Sequence, residues 1–282
     1  MARIRFGQVD NLNTMPVYYA FEEGLVSFEG ELIKGAADKL KELFLAGQLE
    51  VSTISSIDYP GNINNCLILP NVSVNADGQI HSILLFSHLP VTELDRKVVN
   101  VSGFSGSSGA LLKVLFDHYY HVEAKLCTMP PNLERMMAQG DGALLVGEEA
   151  LRAYVQVKQE GLPYQVTDLG EVWKQFTGER MIYDLWVVRK DFAQDNPELV
   201  NSLCLAIQEA KQHFPANLPF ILEKCRRRTG LSLEILEQYF QTINNDFAED
   251  HRHALLTYYD YCYKSGLIDE RVRLSVWGDE NI

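Results

Sequence analysis

The sequence has little of what most cofactor and catalytic motifs require. Its five cysteines, Cys66, Cys127, Cys204, Cys225 and Cys262, are odd in number and far apart. No CxxC pair occurs, so neither a structural zinc site nor a disulfide framework is indicated. There is no GxSxG elbow, no phosphate-loop lysine, and no complete GxGxxG with a downstream acid. His118 and His121 share a helical spacing but have no third ligand nearby, so no metal is expected. No apolar run is long enough to span a bilayer, and no membrane partner is expected. Basic residues number 25 against 38 acidic ones, a net charge of −13. That balance argues against nucleic acid and anionic membrane surfaces as partners. The run Arg226-Arg227-Arg228 is short and lies in a helical pattern, so it reads as a solvated face. The opening MARIRFGQVDN has no apolar core of a secretory signal, and a reduced, cytoplasmic setting is expected.

What is present is a chain of 282 residues, 46% hydrophobic, enough for one large domain or two ordinary ones. Strand and helix patterns alternate from Ile4 onward: strand Ile4–Val9, a helix opened by Pro16, strand Leu32–Lys34, helix Ala36–Ala46, strand Val51–Ile54. Leu67–Leu69 and Val72–Val74 read as short strands around Pro70, and Ile80–Phe86 as a stronger one. The alternation restarts at Val98–Val101. From Asp191 the pattern is helical, with separate helices expected at Pro197–Phe214, Pro219–Arg228, Leu233–Phe240 and Phe247–Ser265. This predicts an α/β fold of two lobes with a cleft between them and a helical C-terminal region. Lobe I is read as 1–88 with 187–282, lobe II as 89–186, with crossings near Ser87–Pro90 and Val187–Arg189.

The stretch Val98–Leu115, VVNVSGFSGSSGALLKVL, reads as strand, Gly/Ser loop and helix start. Its backbone N–H groups, small hydroxyls and helix dipole suit a carboxylate or a phosphate. Ser107 or Ser108 serves equally as an ordinary N-cap. Asn13, Ser56, Ser87 and the Ser105–Ser108 loop each follow an expected strand in one lobe or the other. In open α/β sheets such strand ends converge on the ligand crevice. Together they describe an uncharged polar site for a small molecule carrying carboxylates. Glu148-Glu149 follow another strand and read first as first-turn acids that complement a helix dipole, with one of them facing the cleft as the alternative.

Six segments occur in order: VDNLNTMP (Val9–Pro16), STISSIDY (Ser52–Tyr59), SILLFS (Ser82–Ser87), SSGALLKVL (Ser107–Leu115), GALLVGEEAL (Gly142–Leu151) and DLGEVWKQFTGERMIYDLWVVR (Asp168–Arg189). This set resembles the chorismate dehydratases of the futalosine route to menaquinone. The resemblance covers most of residues 4–190. It implies a type 2 periplasmic-binding-protein fold and a lyase that turns chorismate into 3-[(1-carboxyvinyl)oxy]benzoate and water. It implies no metal or redox cofactor. It implies Asn13 and Ser87 as the residues nearest the reaction. It implies Ser56, Ser105, Gly106, Ser107, Ser108, Gly147 and Tyr183 as substrate contacts. The chain departs from the family pattern at Gly106-Ser107, where an Arg-Thr pair is usual, and at Ser55, where a proline is usual. Without that arginine, one carboxylate depends more on backbone N–H groups. The sister dihydroxynaphthoate synthase has a Ser-Pro-Cys-Pro-Asn-Asp type of N-terminal loop, unlike Asp10-Asn11-Leu12-Asn13 here. A non-catalytic binder of a small organic acid is the other alternative.

Overall fold

The computed structural model describes residues 3–102 and 106–279. In chain order the strands and helices are β1 (Ile4–Val9), α1 (Met15–Glu22), β2 (Gly30–Gly35), α2 (Ala37–Leu45), β3 (Val51–Ser55), β4 (Cys66–Ala76), β5 (Ile83–Ser87), β6 (Val98–Val101), α3 (Ser107–Leu115), β7 (Lys125–Thr128), α4 (Leu133–Ala138), β8 (Gly142–Val146), α5 (Glu148–Glu160), β9 (Gln165–Asp168), α6 (Leu169–Thr177), β10 (Met181–Arg189), α7 (Lys190–Asp195), α8 (Pro197–Thr229), α9 (Leu233–Thr242) and α10 (Glu249–Lys264). They form two five-stranded sheets, ordered β2-β1-β3-β10-β4 and β7-β6-β8-β5-β9.

Each sheet has a parallel nucleus built by β–α–β units. Into each, one strand from the other half of the chain is inserted antiparallel: β10 beside β3, and β5 beside β8. This corrects the expected lobe boundaries. β5 pairs with β8 and β9, so Ile83–Ser87 belongs to the second sheet. β10 belongs to the first. The chain therefore crosses at residues 77–82 and again through α6, not near Ser87–Pro90 and Val187–Arg189. Asp168 ties the two crossings together. Its carboxylate accepts from Ile80 and His81 N–H on one side and from Gly170 and Glu171 N–H on the other.

Two proline-marked breaks are absorbed. Leu67–Leu69 and Val72–Val74 form one strand, β4, with Asn71 at φ 61° where its register against β10 shifts. β4 is an edge strand, where a missing N–H is tolerated. The expected helices Pro197–Phe214 and Pro219–Arg228 are one helix, α8, running through Pro215 and Pro219. Packing against α1, α9 and β4 holds it continuous. At 33 residues it is about 50 Å long. Gly230, at φ 73°, ends it beside the cleft.

Candidate active site

A cavity of about 630 Å³ lies between the lobes. That is ample for a ligand of about 15 heavy atoms, given the usual size range of such sites. Its walls come from the β1–α1 loop, the ends of β3, β6 and β8, the starts of α2, α3 and α5, and the amino-terminal ends of β5 and β10. Strand direction decides this list. Parallel strands present their carboxyl ends to the crevice, so antiparallel strands in the same sheet present their amino ends.

Asn13 lines the cavity from the β1–α1 loop. Thr14 shapes that loop, its hydroxyl bonded to Val9 O and Asn11 O. The Asn13 amide Nδ2 donates to Asp184 Oδ2 at 3.2 Å. Asn13 Oδ1 and the Tyr183 hydroxyl are buried without a hydrogen-bond partner among the described residues. Tyr183 and Asp184 both line the cavity although neighbours on a strand normally face opposite ways. A register shift between Ile182 and Asp184 allows it. A bulge of this kind re-aims side chains beside a site. Asp184 holds no ion pair among the described residues. Burial pushes its carboxyl up to about 7, the charge of Asp58 adds to the shift, and the Asn13 bond partly offsets it.

Gly106, Ser107 and Ser108 line the opposite wall, as does Gly147 at φ 68° before α5. The N-cap of α3 is Gly106, one residue before the expected serines. The Ser107 hydroxyl is already engaged. It stands 2.6 Å from Ser55 Oγ and donates to Tyr183 O at 2.8 Å, while Ser107 N–H donates to Ser55 Oγ at 2.7 Å. Ser55 thus caps α3 from the other lobe, and the pair bolts the lobes together. Ser105 lies outside the described residues.

Two expectations are corrected. Ser56 is fully buried behind the wall, where its hydroxyl donates to Ile182 O; Ser55 faces the cavity instead. Ser87 is at the carboxyl end of antiparallel β5, so it points away from the crevice. Its hydroxyl donates to Leu89 O at 2.6 Å, and the cavity is reached from the other end of β5, by Ser82 and Ile83.

The cavity also holds residues that no motif marked. Arg228 departs from the solvated reading of its run: it bridges Asp10 in one lobe and Glu148 in the other, at 2.6 and 2.7 Å. Arg226 and Arg227 do pair with Glu223 on the surface. Lys41 reaches in from α2 and holds Asp58 at 3.1 Å. Asp58 is nonetheless pushed up, because burial outweighs Lys41. Tyr239 of α9 completes the wall. Of these, Asp184 had a visible signal: a lone carboxylate inside the apolar run MIYDLWVV.

The chain matches the family model described as menaquinone biosynthesis across residues 4–264. A chorismate dehydratase of Thermus thermophilus is 27% identical over 234 residues, covering 77% of this chain and 81% of the relative. A solved protein of Archaeoglobus fulgidus superposes with TM-score 0.77 at 21% identity, over 94% of this chain and 98% of that one. The periplasmic aliphatic sulphonate binding protein of Escherichia coli does so with TM-score 0.71 at 11% identity, over 99% and 93%. These two likenesses show the two-lobed periplasmic-binding-protein fold and nothing finer. Taken over nearly its whole length, the chain belongs to the menaquinone-biosynthesis family.

Proposed function

We propose that this protein is a chorismate dehydratase, forming 3-[(1-carboxyvinyl)oxy]benzoate and water. The cavity carries the reading. It is a cleft between the lobes whose wall combines amides, hydroxyls and helix N-termini with the paired cations Lys41 and Arg228, in a chain whose curated relative has that activity. Chorismate loses a hydrogen from the ring carbon bearing the enolpyruvyl ether. That carbon is vinylogous to the ring carboxylate, which takes up the electron density. Hydroxide leaves the adjacent carbon, and aromatisation drives the step. The protein must hold a flexible dianion in one pose, stabilise charge on the ring carboxylate, and exclude water.

The Gly106–Ser108 segment, with the dipole of α3 behind it, receives one carboxylate. Gly106 leaves room there, since among the described residues a Cβ would meet only Ser55 Oγ, at 3.8 Å. The missing loop arginine is answered by Lys41, whose partner Asp58 is disposed by burial to give up its charge. Gly147 and Tyr183 contact the far end of the substrate, and Asn13 positions the reacting carbons. The enolpyruvyl carboxylate is the base. Five free cysteines, four of them buried, support a cytoplasmic setting.

Purified protein mixed with chorismate is expected to develop benzoate-type ultraviolet absorbance without added metal. Tight binding with no absorbance change identifies a solute binder. Turnover of a cyclic naphthoate precursor instead identifies the sister synthase. In the same assay Ser87→Ala is expected to keep wild-type turnover. Its loss is about 1 kcal/mol of stability in a denaturant titration, from the missing bond to Leu89. A collapse of turnover in that variant would return Ser87 to the site.

A further inference from the structure

Asp184 lines the cavity, and among the described residues its carboxyl is held by an amide alone. Asp10, Asp58 and Glu148 each face a cation, at 2.6, 3.1 and 2.7 Å. The remaining ionisable groups around Asp184 are Asp58 on the turn after β3 and the hydroxyls of Tyr18 on α1 and Tyr239 on α9. Tyr183 is its own neighbour on β10, and Lys41 stands beyond Asp58. None supplies a positive charge at bonding distance among the described residues. The two cations of the cavity wall, Lys41 and Arg228, are each paired with other carboxylates.

Asn13 settles which oxygen is free. Its Nδ2 occupies Asp184 Oδ2, so a carboxyl proton resides on Oδ1. Asn13 Oδ1, the other atom of the same amide, is a buried acceptor without a partner among the described residues. The Asp184 carboxyl as donor and the Asn13 amide as acceptor, both on the cavity wall, match a hydroxyl group, which accepts and donates at once. A substrate with two carboxylates brings more negative charge into the same chamber. That charge holds Asp184 protonated at neutral pH, which suits an acid and not a base.

We propose that Asp184 is the general acid of the dehydration, with Asn13 holding its carboxyl against the substrate's leaving hydroxyl; this rests on the dehydratase reading. As the ring C–H bond breaks, its proton goes to the enolpyruvyl carboxylate and its electron pair into the ring. As the C–O bond breaks, the pair leaves with oxygen, and the Asp184 proton joins it to make water. The proton on the enolpyruvyl carboxyl then returns to Asp184. The sum is loss of one water, with nothing oxidised or reduced. Tyr183 and Tyr239 line the same cavity wall as the carboxyl.

The test is the pH dependence of chorismate turnover in wild type and in Asp184→Asn. Wild-type kcat/KM is expected to be flat at low pH and to fall above about 7, the value to which burial raises the free carboxyl. The fall in kcat should lie higher, because bound substrate favours the protonated form. Asp184→Asn is expected to lose roughly 10²–10⁴-fold in kcat and the alkaline fall with it, while chorismate binding stays within about threefold of wild type. Asn13→Ala removes a bond to the ionised form, so its residual activity should fall at higher pH than wild type. That shift, and the wild-type profile, stand even if Asp184→Asn does not fold. An Asp184→Asn enzyme that still makes the benzoate at near-normal rate overturns the acid assignment and leaves the dehydratase reading intact. Wild-type activity that rises through pH 7 makes Asp184 a base and also overturns it. Wild type that makes no benzoate at any pH overturns the dehydratase reading and this role together.

Discussion

Asn13→Ala is expected to cut chorismate turnover by roughly 10–100-fold, the range typical of lost positioning and proton-transfer support. Circular dichroism and the denaturation midpoint should stay close to wild type. The loop does not depend on the side chain. Thr14 bonds it to Val9 and Asn11, and Asn13 holds Asn245 through its backbone carbonyl. What the substitution removes is the only hydrogen bond to the Asp184 carboxyl among the described residues, together with a buried acceptor. An amide is a poor base, so the loss is one of orientation. It should appear mainly in kcat. Near-normal turnover would remove Asn13 from the site and, with it, the link between the β1–α1 loop and β10.

Gly170→Ala is expected to destabilise the protein by about 3 kcal/mol, the upper end of overpacking costs. Gly170 is the second residue of α6, on the return crossing between the lobes. A Cβ there would overlap the Gly78 carbonyl, on the outward crossing, and stand 2.8 Å from the Tyr183 hydroxyl. A backbone carbonyl cannot swing aside as a side-chain tip can. The two crossings, stitched at Asp168, would have to part. The damage then reaches the cavity through Tyr183. Urea denaturation checks the first effect and chorismate affinity the second. A midpoint equal to wild type would mean that the crossings have slack.

Both large effects follow from the same feature of the sheets, and so does the largest gap between sequence and structure. Along the chain, the local pattern places each polar group just after a strand in the cleft. Asn13 after β1 and Gly147 after β8, both following parallel strands, do line the cavity, and at β3 it is the last strand residue, Ser55, that does so. The pattern fails for Ser87, because β5 runs the other way. The same inversion hid Asp184, which precedes most of its strand and does not follow it. Ser56 failed for a smaller reason: one residue of phase decides whether a hydroxyl faces the cavity or the core. Arg228 was out of reach of any local pattern, since 218 residues separate it from Asp10.

Local patterning determined the α/β class, the two lobes, the helical C-terminal region and the polar loops at the strand ends, because side-chain period and glycine or serine breaks act over a few residues. Tertiary pairing alone decided where the chain crosses, that α8 runs unbroken through two prolines, and which ends of β5 and β10 meet the cavity. A strand has the same alternation read in either direction, so its orientation belongs to its neighbours and not to its residues.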